Sequence, residues 1–155
     1  MSIQDAAIAP PMPAPDEISQ FFWDGVNEGK LLILRCHNCG HYIHWPREMC
    51  RFCLGTDLRP TEVSGRGKLV TWTMVYQPYH PFFFDKVPYP ICVIELVEQD
   101  NLKVVANIVD CAEADLRIDL PVEVTFVEIA PGLTLPQFRP VGDAAAAHAP
   151  DGSHP

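Results

Sequence analysis

Two Cys-x-x-Cys pairs, Cys36/Cys39 and Cys50/Cys53, lie ten residues apart in a chain of 155. Two such knuckles can bring four thiolates around one tetrahedral Zn²⁺. The metal would close a loop of eighteen residues, which suits a structural ion. Four thiolates leave no open coordination position, so hydrolytic zinc chemistry is not expected. His37, His41 and His44 lie close by, but four correctly spaced cysteines need no substitute ligand. The expectation is one structural Zn²⁺ per chain on Cys36, Cys39, Cys50 and Cys53.

The surrounding sequence builds a ribbon around that ion. LLILR leads as a strand into the knuckle CHNCG, HYIHWP returns as a strand, and CRFC makes the second knuckle. Gly40 suits the tight turn in which backbone N–H groups face thiolate sulfur. Upstream, Asp16 can cap a helix carrying Ile18, Phe21, Phe22 and Val26 at helical spacing, with Gly29 as its stop. After Pro60 the period changes to two: TEVSGRGKLVTWTMVYQ alternates, and Gly65 and Gly67 allow a bulge or sharp coil. ICVIELVE, LKVVANIV, VEVTFVEI and LPQFRPV supply further strands. QDN at 99–101 is a hairpin turn, and 111–119 has room for a short helix. Five or six strands with a short helical insertion suit a small closed barrel of the OB type. The expected divisions are a disordered arm over 1–15, a helix over 16–30, a zinc ribbon over 31–59, the barrel over 60–141 and a disordered tail over 142–155. His148 and His154 fall in that tail.

Composition narrows the function classes. With 48% hydrophobic and 20% charged residues, the chain can bury a proper core. No apolar run approaches the ~20 residues of a membrane helix, and the N-terminus lacks the basic and apolar regions of a secretory signal. A cytoplasmic location is therefore expected, and paired Cys-x-x-Cys then points to metal rather than disulfides. Cys92 and Cys111 read as ordinary core or near-core thiols. A net charge of −9 argues against general nucleic-acid binding. The charge is uneven: residues 30–68 hold seven of the eleven Lys and Arg against three acids, so this segment is +4 and the remainder −13. Such a local basic region suits a small anionic ligand or an acidic partner better than a long polyanion, with Arg35, Arg47, Arg51, Arg66 and Lys68 as the candidates. The alternative is solvated charge around the ribbon.

Two aromatic groups stand out. Phe21, Phe22 and Trp23 crowd one short helix, either stapling it to the core or meeting a partner. QPYHPFFFDKVPYP at 77–90 holds four prolines and five aromatics. Neighbours on an extended segment point to opposite sides, so Phe82, Phe83 and Phe84 cannot all face one core. Tyr79, His80, Phe82, Phe83 and Phe84 are candidates for a partner interface or an acyl-ligand wall, with a loop folded on its own barrel as the alternative. His80 and Asp85 could serve as a base if the chain were an enzyme by itself, but no nucleophile motif supports them. No catalytic residue is assigned. A single-stranded nucleic-acid-binding OB module is the competing reading, against which the charge weighs.

FFWDGVNEGKLLILRC, CHNCGHYIHWPREMCRFC with its Pro46-Arg47, SGRGKLVTWTMV, Pro90 before ICVIELVE, and PVEVTF together resemble a known family. It is the zinc-ribbon/OB-fold family of thiolase-associated accessory proteins of acyl-CoA metabolism, long treated as a domain of unknown function. The similarity covers roughly residues 17–140. The family's pattern often has a glycine before the last long strand, where this chain has Asp119 in RIDLPVEV. The resemblance implies a mainly β protein: an N-terminal helix, a rubredoxin-like zinc ribbon and an OB-fold. It also implies a non-catalytic partner of a thiolase-like enzyme or an acyl-CoA aldolase. Such a subunit helps bind or channel an acyl-CoA thioester, in settings that include steroid side-chain and lipid degradation. No membrane partner is implied.

Overall fold

The computed structural model describes residues 8–142. Residues 1–7 of the expected arm and 143–155 of the expected tail, His148 and His154 included, lie outside the described residues.

Asp16 sets the entry to the helix. Its Oδ1 accepts from the Ser19 backbone N–H at 2.8 Å and from the Ser19 hydroxyl. These hydrogen bonds hold its carboxyl below the usual carboxylate range. The turn leads into α1 (Gln20–Asn27), which buries Phe22, Gly25 and Val26. Gly29, at φ +72°, follows its C-terminus as an unhindered left-handed residue.

The chain then makes β1 (Leu32–Cys36), β2 (Tyr42–Ile43) and β3 (Leu58–Glu62), an antiparallel sheet in the order β2-β1-β3. β4 (Arg66–Val75), β5 (Tyr89–Leu96), β6 (Lys103–Ala106), β7 (Pro121–Ala130) and β8 (Leu133–Pro140) form a second antiparallel sheet, ordered β6-β5-β4-β7-β8. This sheet curls until its edges meet. Ile108 bridges Phe138 in parallel, with Val109 N–H donating to Phe138 O at 2.8 Å and Phe138 N–H to Asn107 O at 2.9 Å. The five strands make an OB-like barrel. The helix expected within 111–119 is a single 3-10 turn, Glu113–Asp115.

The bulge lies slightly downstream of the two glycines expected to make it. The β4–β5 register shifts between Leu69 and Thr71. Gly65 adopts φ +71° with the Val124 side chain over the place of a Cβ, and a Cβ on Gly67 would lie 2.6 Å from the Glu95 carbonyl oxygen. The glycines therefore serve close approach, not the bulge itself. β7 pairs with β4 only from Pro121 to Glu123, and Val124 N–H adds one bond to Gly65 O. Beyond that point its strand partner among the described residues is β8 alone.

Two apolar clusters result. The larger joins Phe22 and Val26 of α1 to barrel residues including Leu69, Ile94, Leu120 and Phe138. Each of these four barrel residues is at most 1% exposed, and burial of such a side chain contributes roughly 1.5–3 kcal/mol. The smaller comprises Leu34, Cys36, Ile43 and Cys50. Phe21 packs against both.

The β5–β6 turn ties ribbon to barrel. Gln99 Oε1 accepts from Tyr42 N–H at 2.8 Å, and Gln99 Nε2 donates to Tyr42 O at 3.2 Å. One side-chain amide thus occupies the free edge of β2 as a neighbouring strand would. Glu98 Oε1 accepts from Ser64 N–H at 2.6 Å on the link between β3 and β4.

Candidate functional site

The knuckles are built alike. Gly40 N–H donates to Cys36 O at 2.8 Å, and Leu54 N–H donates to Cys50 O at 2.9 Å. Gly40 at φ +79° and Leu54 at φ +61° occupy the same left-handed position. Both turns fold their cysteines inward. Cys36 and Cys53 sulfurs lie 3.6 Å apart, as do those of Cys39 and Cys50. All four lie within 4.8 Å of one another. A tetrahedral ion with ~2.3 Å metal–sulfur bonds needs sulfur atoms about 3.8 Å apart.

The electrostatics also fit a cation. Burial pushes the Cys50 thiol up, but the N–H groups of Cys53 and Phe52 and the neighbouring sulfurs outweigh it and bring it down to about 7. At Cys39 the His41 N–H pulls the thiol down, while burial and the other three sulfurs push it up to about 12. Thiols this close cannot all ionise unaided, and a metal ion among them removes the conflict. The four-cysteine cluster therefore fits one metal site. His41 stacks on Phe52 at 4.1 Å, and His44 on Trp45 at 4.4 Å. Burial lowers His44 to about 4.

The basic residues of 30–68 do not converge. Lys68 is held between Asp119 at 3.1 Å and Glu95 at 3.8 Å. Arg59 pairs with Asp57, and Lys30 with Glu28. Arg35 Nε donates to Gly40 O at 3.1 Å and its guanidinium lies over Tyr42. Arg51 lies over Phe52 at 4.8 Å. Arg47 and Arg66 are exposed.

The aromatic candidates separate. Phe22, 8% exposed, belongs to the core and lines the floor of a groove beside Trp23. Phe21 and Trp23 are half-buried against it. Tyr79 is 92% and Phe84 63% exposed. The loop is not extended: Pro81–Phe83 make a 3-10 turn, capped by His80 Nδ1 accepting from Phe82 N–H at 3.2 Å. Phe82 and Phe83 then meet edge to face at 5.1 Å, and Phe83 leans on Tyr89. His80 has a structural partner, and Asp85 pairs with Lys86. Cys92 is fully buried and Cys111 half-buried, and burial pushes the Cys92 thiol up to about 11.

Between this loop and the β7–β8 hairpin lies a cleft of about 400 Å³. Phe82, Phe83 and Tyr89 form one wall, and Val127, Ile129 and Leu135 another. Asn107 and Gln137 also line it. A smaller groove of about 160 Å³ shares Asn107 and Leu135 and continues past Trp23 and His44 to Trp45, which is 59% exposed. Both run along the seam where the barrel closes. Sequence reasoning missed Asn107, Leu135, Gln137 and Trp45. Gln137 left a signal, as the polar member of the row Leu133, Leu135, Gln137 in an alternating strand.

Comparison with known proteins bears on both parts of the chain. Residues 23–59 match the family described as ChsH2, rubredoxin-like zinc ribbon domain, and residues 60–127 that described as ChsH2, C-terminal OB-fold domain. A probable enoyl-CoA hydratase alpha subunit of Thermomonospora curvata is 33% identical over 130 residues, 84% of this chain. The match spans only 40% of that longer protein. A DUF35 domain-containing scaffold protein of Methanocaldococcus jannaschii is 36% identical over 110 residues, covering 69% of this chain and 75% of its own length. Among solved structures, a chain of the Ltp2-ChsH2(DUF35) aldolase superposes with a TM-score of 0.76 at 32% identity, over 83% of this chain and 98% of that one. None of the described helices is long and apolar enough to cross a membrane.

Proposed function

The chain belongs to the ChsH2/DUF35 family of zinc-ribbon and OB-fold proteins, and on that premise we propose that it is a non-catalytic subunit of an acyl-CoA-processing enzyme. Its partner is a thiolase-like protein, either an aldolase or a lipid-transfer-type thiolase. The subunit helps hold or channel the partner's acyl-CoA thioester. The observation that carries this reading is the superposition on nearly the whole of a chain from the Ltp2-ChsH2(DUF35) aldolase. The four-cysteine site supports it, since four sulfurs on one zinc leave no position for substrate. In this reading the ribbon spans 31–59, the barrel spans 60–141, and the zinc is structural. Tyr79, Phe84 and Trp23 serve the partner, and the protein works in the cytoplasm on lipid or steroid side-chain thioesters.

The test is co-expression with a thiolase-like aldolase of the same organism, followed by size exclusion and an aldol-cleavage assay. Co-elution and a partner that loses activity without this chain are expected. Separate elution, with the aldolase fully active alone, would overturn the reading.

A further inference from the structure

We infer that the cleft between the 79–89 loop and the β7–β8 hairpin binds the uncharged, amide- and acyl-bearing arm of the thioester, and that this chain leaves the nucleotide phosphates to its partner. The inference rests on the acyl-thioester reading above and says which part of the ligand belongs here.

The cleft's charge state decides the matter. Only two charged side chains line it, Lys86 and Glu128, and both are engaged locally. Lys86 Nζ donates to Asp85 Oδ1 and to Phe82 O, each at 2.8 Å, and lies over the Phe82 ring at 4.1 Å. Glu128 Oε1 accepts from Gly132 N–H at 3.1 Å. Asn107 Nδ2 donates to Pro90 O at 2.6 Å. Gln137 differs: its Oε1 is buried and has no hydrogen-bond partner. An unpartnered amide oxygen whose side chain can turn into an aromatic and aliphatic cleft favours a neutral ligand that brings an N–H or O–H donor. An amide-linked acyl arm supplies both the apolar length and the donor, whereas a phosphate would find no free cation there. The arginines that could meet phosphate lie on other elements: Arg35 lines a separate recess beside Cys36 and His37.

Calorimetry on the full, metal-loaded chain tests this with two probes. Octanoyl-pantetheine carries the acyl chain and amides without phosphate, and adenosine 3′,5′-diphosphate carries the phosphates alone. Saturable binding of octanoyl-pantetheine is expected, weakened about tenfold by Ile129→Glu and severalfold by Gln137→Leu. The diphosphate should give no saturable heat. Should Ile129→Glu fail to fold, Ile129→Ala takes its place, with metal content as the check on folding. No saturable binding of octanoyl-pantetheine, or binding unmoved by these substitutions, would overturn the inference, as would diphosphate binding of equal strength. The outcomes separate the two readings. A chain that co-elutes with an aldolase but ignores octanoyl-pantetheine sinks only the cleft assignment. One that binds the probe but no aldolase sinks the partner reading.

Discussion

Asp119 shows how one residue can be read correctly in sequence and explained only in space. The resemblance flagged it as standing where relatives often carry glycine. The structure gives it φ +61°, with its N–H donating to Leu69 O at 2.8 Å and its carboxylate on Lys68. The position demands a left-handed backbone, which glycine adopts freely and aspartate tolerates better than alanine does. Asp119→Gly should therefore keep the urea midpoint near that of the parent, whereas Asp119→Ala should lose about 1 kcal/mol from backbone strain alone. Equal midpoints for the two variants would remove the strain argument. The cysteines were legible for a simpler reason: their spacing carries the geometry within eighteen residues. The engagement of Lys68 was not legible, because both of its acids lie more than twenty residues away in sequence.

At the scale of elements, the β5–β6 turn does more than reverse the chain. Its turn residues were plain in the sequence, but no local pattern showed that Gln99 reaches back 57 residues to Tyr42. Two part-buried hydrogen bonds of this kind contribute together about 2 kcal/mol. Gln99→Ala should raise amide hydrogen exchange at Tyr42 roughly tenfold or more, with metal content unchanged. Gln99→Glu retains the acceptor and loses the donor, so its exchange should fall between the two. Unaltered exchange at Tyr42 in the alanine variant would show that the edge of β2 is held by something else. The strands themselves were readable from period-two alternation. The closing contact at Asn107–Val109 was not, since it follows β6 in sequence yet joins β8.

For the molecule as a whole, the two apolar clusters predict divided stability. The ribbon's cluster has four buried residues, two of them cysteines, and cannot replace the 10–16 kcal/mol order of apparent energy that a structural zinc supplies. Stripping the metal with a chelator under reducing conditions should abolish amide protection across β2 and the two knuckles and leave that of β4 and β5 in place, with Ile33 of β1 held by the larger cluster. Cys36→Ser should behave likewise, and elemental analysis of the parent should give one metal per chain. Uniform loss of protection, or none, would contradict the division. The β7–β8 hairpin has a different consequence for the family. Because no third strand among the described residues anchors its outer half, residues can be inserted or deleted there in matched pairs without disturbing the barrel or the cysteine centre. The depth of the cleft beside the hairpin can then change while the barrel and the cysteine centre stay constant.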